Sequence, residues 1–188
     1  FLDRIASNGQ HLLTLVNHVL DIAKVEAGRV TVTTGLVNVD QLIHDVAGQL
    51  EGQPREAGVA LGAESPENVI PIESDGVLLR QVVINLAGNA IRFTKQGSVV
   101  LSLEADPESG RPTCIHVTDT GMGIPADRQA AIFEPFEQAE TETHRTYGGT
   151  GLGLSISKAI CDALGYRLTL QSEPGRGSRF TVHLSAHP

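Results

Sequence analysis

The chain has 188 residues, 40% of them hydrophobic, with 20 glycines, 9 prolines and a formal net charge of −8. That is enough apolar material for one packed domain, and the acidic balance speaks against a nucleic-acid partner, which would require basic clusters. No run of 18 apolar residues and no signal peptide is present, which predicts no membrane contact by this chain but leaves an anchor upstream of Phe1 open.

Residues 1–27 read as one long helix. Leu2, Ile5, Leu12, Val16, Val19 and Ala23 recur at three- and four-residue steps, and Gly28 stands where a C-cap belongs. At 1.5 Å per residue this helix would run roughly 40 Å. Its apolar stripe finds no partner helix of that length in the chain, so it is expected to belong to a bundle or hairpin. Short β-like stretches follow at Val30–Thr33 and Leu36–Val39. Asp40 is expected to cap a helix running to about Gln53, with Pro54 and Gly58 ending it. Val59–Ala63 and Val69–Glu73 read as strands, and a helix is predicted from Asp75 to Phe93. Strands Ser98–Glu104 and Thr113–Thr118 flank a turn at residues 106–110. Pro125 opens a short predicted helix to Ile132. Residues 133–149 lack periodicity and read as a long functional loop. A helix over Gly151–Leu164 and a hairpin of Arg167–Ser172 with Arg179–Leu184 complete the pattern. The fold class is α+β, with the strands in one sheet and the helices on one face. Cys114 and Cys161 stand in apolar segments without metal-type spacing and are expected to be two reduced core thiols in a reducing, cytoplasmic setting.

Three segments carry chemistry. In the helix Asp75–Phe93, residues Gln81, Asn85, Asn89 and Arg92 fall within an arc of roughly 80°, while nearly all the remaining surface is apolar. Pressing such a stripe into hydrocarbon would cost several kcal/mol, so it lines a polar cavity or forms a polar edge at a domain surface. Amide oxygens can help hold Mg²⁺ beside phosphates, and a guanidinium neutralises phosphate oxygens. The second segment is Asp119-Thr120-Gly121-Met122-Gly123-Ile124-Pro125. Ile115, Val117 and Asp119 share one strand face, which turns the carboxylate toward the core, where it needs donors such as an adenine amine. Gly121 and Gly123 would let backbone approach a flat base; a plain turn with a helix cap is the competing reading. The third is Tyr147–Leu154, whose glycines open a helix, an arrangement suited to anions or to a simple flexible cap.

Taken together and in this order, the segments closely resemble the boxes of bacterial sensor histidine kinases. Asn85-Leu86-Ala87-Gly88-Asn89-Ala90 is similar to the N box, Asp119–Gly123 to G1, Phe133–Phe136 to the F box and Gly149–Gly153 to G2. Gly175-Arg176-Gly177-Ser178-Arg179-Phe180 resembles the closing glycine turn. Residues 12–28, ending Asp21-Ile22-Ala23-Lys24-Val25-Glu26-Ala27-Gly28, resemble the second helix of the dimerisation hairpin. FEPFEQA is a common F-box form in hybrid kinases. The resemblance implies a two-layer α/β sandwich of the histidine kinase, Hsp90 and gyrase ATPase type, with residues 1–28 as part of the dimerisation domain and 29–188 as the ATP-binding catalytic domain. It implies ATP with Mg²⁺, homodimerisation through the dimerisation helices of the full protein, and a response-regulator receiver domain as partner.

Residue by residue, the resemblance implies that Asp119 meets adenine, Asn89 coordinates Mg²⁺ with Asn85 beside it, and Arg92 supplies the positive charge that the family usually takes from Lys. Gly121, Gly123, Ile124, Gly149, Thr150, Gly151, Leu152 and Gly153 would shape pocket and lid, and Arg145 would reach a phosphate. Thr181 is assigned to the adenine region, a structural strand threonine being the alternative. Two departures stand out. The acceptor histidine followed by an acidic residue is missing, since Leu12 follows His11 and Val19 follows His18. Gly76-Val77-Leu78 also replaces a more polar stretch ahead of the N box. Related hydrolytic ATPases place a Glu at the position of Asn85 to activate water. An amide cannot take a proton, whereas a neutral imidazole already presents a lone pair at pH 7. The expected reaction is therefore transfer of the ATP γ-phosphoryl to a histidine and thence to an aspartate of the regulator. A hydrolytic ATPase, a serine-directed kinase or a nucleotide-binding regulatory module are the alternatives.

Overall fold

The computed structural model describes residues 31–51, 58–134 and 152–184; the helix expected over residues 1–27 lies outside them, and the described part of the β-like stretch expected at Val30–Thr33 forms no strand. In chain order the elements are β1 (Gly35–Val37), α1 (Val39–Glu51), β2 (Val59–Glu64), β3 (Ile72–Ser74), α2 (Gly76–Phe93), β4 (Gly97–Ala105), β5 (Pro112–Asp119), a 3-10 turn (Ala131–Phe133), α3 (Gly153–Ala163), β6 (Arg167–Glu173) and β7 (Gly177–His183). Five strands form one sheet in the order β2-β4-β5-β7-β6. The β2–β4 pair is parallel and the others antiparallel.

Alternation along the strands decides where the core lies. Val99, Leu101 and Leu103 of β4, Ile115 and Val117 of β5, and Phe180 and Val182 of β7 point to one face and are buried. Leu79, Val82, Val83, Leu86, Ala87 and Ala90 of α2 meet that face, with α1 and α3 packed beside α2. Burying each larger side chain of this set contributes roughly 1.5–3 kcal/mol. Packing therefore fixes α2 more firmly than its cap does, at ~1 kcal/mol. That cap is Asp75, whose carboxylate accepts from the N–H of Val77 (3.0 Å), Leu78 (3.1 Å) and Thr33 (2.8 Å). The opposite face of the sheet carries Ser102, Glu104, Cys114, His116, Thr118, Thr169, Gln171, Arg179, Thr181 and His183, and no described helix covers it. No helix among the described residues is long and apolar enough to cross a membrane.

Four expectations need correction. The strands do not all join one sheet: β1 pairs with β3 as a separate two-stranded ribbon, because the Asp75 cap and the contact of Gly76 with Val37 tie this segment to the start of α2. Asn38, not Asp40, caps α1, accepting from Gln41 N–H at 3.2 Å, while Asp40 takes the Ser65 hydroxyl. The helix expected after Pro125 is only a run of turns ending in the 3-10 turn. Gln129, in its middle, spends its side-chain amide on the carbonyls of Ile124 and Ser172, each at 2.9 Å. Cys161 is a core thiol, but Cys114 lies on the open face of the sheet, half-buried.

Candidate functional site

Asp119 ends β5 on the helix-covered face and is only 6% exposed. Burial raises its pKa above the ordinary carboxylate range. Hydrogen bonds from the Gly121 N–H (2.8 Å) and from the backbone and hydroxyl of Ser178 work the other way without cancelling the rise. Two glycines make this geometry possible. Gly121 lies so close to the Phe93 carbonyl and the Asp119 carboxylate that a Cβ there would collide with both. Gly177, at φ +101°, lies against the Asp119 carbonyl in a backbone region that L side chains rarely adopt. The loop after β5 is thereby pinned to the end of α2, with Met122 N–H reaching the Phe93 carbonyl at 3.4 Å. It is also held to the final hairpin: Gly123 packs on the Glu173 carbonyl and Ile124 N–H bonds Ser172 Oγ at 2.7 Å.

The amide stripe of α2 runs toward this loop. Asn85 and Asn89 are half-buried and Arg92 is exposed. The side-chain nitrogen of Asn85 is buried and has no hydrogen-bond partner among the described residues. An orphaned buried amide costs about 1–3 kcal/mol, a penalty that a polar ligand would remove. Gly153, the first residue of α3, stands against Asn89: a methyl built on it would come 3.9 Å from Asn89 Nδ2. Leu152, just before it, is buried and offers α3 no side-chain cap. Arg92 and Lys95 line an open cavity of about 330 Å³ with Phe93, Gln96, Thr120, Gly121 and Met122, a cationic hollow beside the Asp119 loop.

The structure thus brings Asn89 to Gly153 at the start of α3, with Asn85 one turn back on the same stripe and Leu152 beside Gly153, and it sets Asp119, Gly121, Gly123 and Ile124 in one loop, with Arg92 lining a cavity shared with Gly121. Arg145, Gly149, Thr150 and Gly151 lie outside the described residues. Thr181 does not join the others. It sits across from His116 on the open face of the sheet, its hydroxyl 2.9 Å from His116 Nδ1, whereas Asp119 faces the helices. Ser178, and not Thr181, stands directly opposite Asp119 in the ladder. The sequence expectation missed it by starting the last strand at Arg179. Extending the alternation of Phe180 and Val182 back two residues would have placed Ser178 on the inner face.

The profile described as "Histidine kinase-, DNA gyrase B-, and HSP90-like ATPase" matches residues 74–188. The chain belongs to this family. Within it, the chain is 35% identical to the circadian input-output histidine kinase CikA of Synechococcus elongatus over 185 residues, covering 97% of this chain and 24% of CikA. It is 34% identical over 190 residues to the signal transduction histidine-protein kinase BarA of Escherichia coli, covering 98% of this chain and 20% of BarA. Full-length ShkA, solved in complex with AMPPNP, matches with a TM-score of 0.83 and 33% identity over 97% of this chain and 37% of ShkA. The chain therefore spans about a quarter or less of the length of CikA and BarA.

Proposed function

We propose that this chain is the nucleotide-binding, phosphoryl-transferring part of a sensor histidine kinase acting in the cytoplasm. The observation that carries the proposal is the orphaned amide of Asn85, set in one stripe with Asn89 against the glycine start of α3. A ligand with polar oxygens and an associated cation fits that arrangement. Asp119 would accept from adenine, with Ser178 steadying its carboxylate. Asn89, with Asn85 beside it, would hold Mg²⁺, which when bound neutralises phosphate charge. Arg92 would face the phosphates from the cationic hollow. Gly121, Gly123, Ile124, Leu152 and Gly153, with Gly149, Thr150, Gly151 and Arg145 of the preceding segment, would frame the ligand. Phosphoryl transfer depends chiefly on positioning and charge neutralisation, and an amide at position 85 lacks the basicity to activate water. The acceptor would be a histidine of a dimerisation domain, residues 1–28 being its second helix in a homodimer, and the final acceptor an aspartate of a response-regulator receiver domain.

The test is incubation with γ-labelled ATP and Mg²⁺, with and without a separately supplied dimerisation domain bearing an acceptor histidine. Acid-labile label on that domain is the expected result. Steady release of inorganic phosphate without transfer would identify a hydrolytic ATPase instead. Labelling of the chain alone, abolished by His11→Ala or His18→Ala, would overturn the assignment of residues 1–28.

A further inference from the structure

The open face of the sheet holds a second cluster of reactive side chains, remote from the nucleotide site. Glu104, Cys114 and His183 form one row across three strands, each directly opposite the next: Glu104 of β4 pairs with Cys114 of β5, which pairs with His183 of β7. His116 lies two residues along β5 on the same face. One donor atom each from Glu104, Cys114 and His116 lies within 4.8 Å of the other two. His183 Nδ1 lies 3.5 Å from Cys114 Sγ.

We propose that Glu104, Cys114 and His116 form a Zn²⁺ site whose fourth position is left to water. His116 is only 8% exposed, and its buried Nε2 has no hydrogen-bond partner among the described residues. That nitrogen lies 3.1 Å from Glu104 Oε1 but makes no hydrogen bond with it. Two atoms so placed suit donors to a shared ion. Tetrahedral zinc with bonds of 2.0–2.3 Å separates its ligand atoms by roughly 3.3–3.7 Å, and the 3.1 Å between His116 Nε2 and Glu104 Oε1 lies near that range. The outer contact matches as well. Thr181 Oγ1 lies 2.9 Å from His116 Nδ1. In the tautomer whose Nδ1–H donates to the Thr181 hydroxyl, His116 Nε2 keeps its lone pair for a metal. One carboxylate and one thiolate balance the charge of Zn²⁺, the imidazole being neutral. As the S–Zn bond forms, the Cys114 S–H bond breaks and its proton passes to solvent. The Glu104 side chain is 63% exposed, which leaves the ion a route from solvent. A bound ion would tie β4 to β5 on the face opposite Asp119.

The experiment is zinc calorimetry with cobalt(II) spectroscopy on the reduced chain, comparing wild type with Cys114→Ser, Glu104→Gln and Thr181→Val. The wild type should bind one equivalent of Co²⁺ with a thiolate-to-metal absorption band and tetrahedral visible bands. Cys114→Ser should lose the thiolate band. Thr181→Val, which removes only the hydroxyl behind His116, should weaken Zn²⁺ about 10–100-fold. Glu104→Gln, at an exposed position, should also weaken Zn²⁺ and gives an independent reading if Cys114→Ser destabilises the sheet. No thiolate band in the wild type, or equal zinc affinity in wild type, Glu104→Gln and Thr181→Val, would overturn the site and leave only scattered histidine binding.

Discussion

Ser178 and Asp119 face each other across the β5–β7 ladder, and both the N–H and the hydroxyl of the serine bond to the aspartate carboxylate. The serine, and not Thr181, therefore governs how that carboxylate is presented. Ser178→Ala should weaken ATP binding roughly tenfold, as expected for losing a hydrogen bond to a charged group. Thr181→Val should leave ATP affinity within twofold. Calorimetry on the two variants checks this, and the opposite ranking would return Thr181 to the adenine region.

The role in ATP binding proposed for Asp119 would set function against stability. The residue's raised pKa means that the folded chain binds a proton more readily than the unfolded chain does. Ionised Asp119 thus lowers stability at neutral pH, and this penalty fades as pH falls through the raised value. Asp119→Asn should raise Tm at pH 7 while weakening ATP binding by about 10–100-fold. The Tm difference should shrink toward pH 4. Melting curves from pH 4 to 8 test it, and a variant less stable than wild type at pH 7 would contradict it.

Asp75 behaves in the opposite sense. Burial works against its ionised form, yet N–H donors from Thr33, Leu78 and Val77 hold its pKa below the ordinary value. Its contribution is fully present above the unfolded carboxylate value and is lost as pH falls through the lowered one. Asp75→Ala should cost about 1–2 kcal/mol by removing the cap of α2, with the loss largest near neutral pH. Urea unfolding of both proteins at two pH values measures this; an equal loss at pH 7 and pH 2.5 would argue against the ionised cap.

The two cysteines should differ in reactivity. Burial pushes the Cys161 thiol up to about 12, and the side chain is fully buried. Cys114 is half-buried on the open face, its thiol raised by burial and by Glu104. Alkylation of the native chain should modify Cys114 slowly and Cys161 not at all, as peptide mass spectrometry would show. Modification of Cys161 at a comparable rate would mean that the core around α3 opens readily.

Much of the nucleotide region was legible because it is built from local signals. The polar stripe of α2 follows from a 3.6-residue period, and the inward turn of Asp119 follows from strand alternation past Ile115 and Val117. What escaped was set by pairing between distant strands. Nothing near Ser178 in sequence announces Asp119, and Glu104, Cys114 and His183 converge only through the register of β4, β5 and β7. The spacing of Cys114 and His116 was the one local hint, since i and i+2 share a strand face. The separate β1–β3 ribbon was equally invisible, being fixed by a cap contact between Thr33 and Asp75, 42 residues apart.

Calorimetric titration of the chain with ATP, with and without Mg²⁺, tests the nucleotide site most directly when wild type, Asp119→Asn and Asn89→Ala are compared. The account predicts that wild type binds ATP more tightly with Mg²⁺, that Asp119→Asn loses affinity in both conditions, and that Asn89→Ala loses mainly the Mg²⁺-dependent part. Wild-type affinity in Asp119→Asn, or an equal loss in Asn89→Ala with and without the metal, would contradict it.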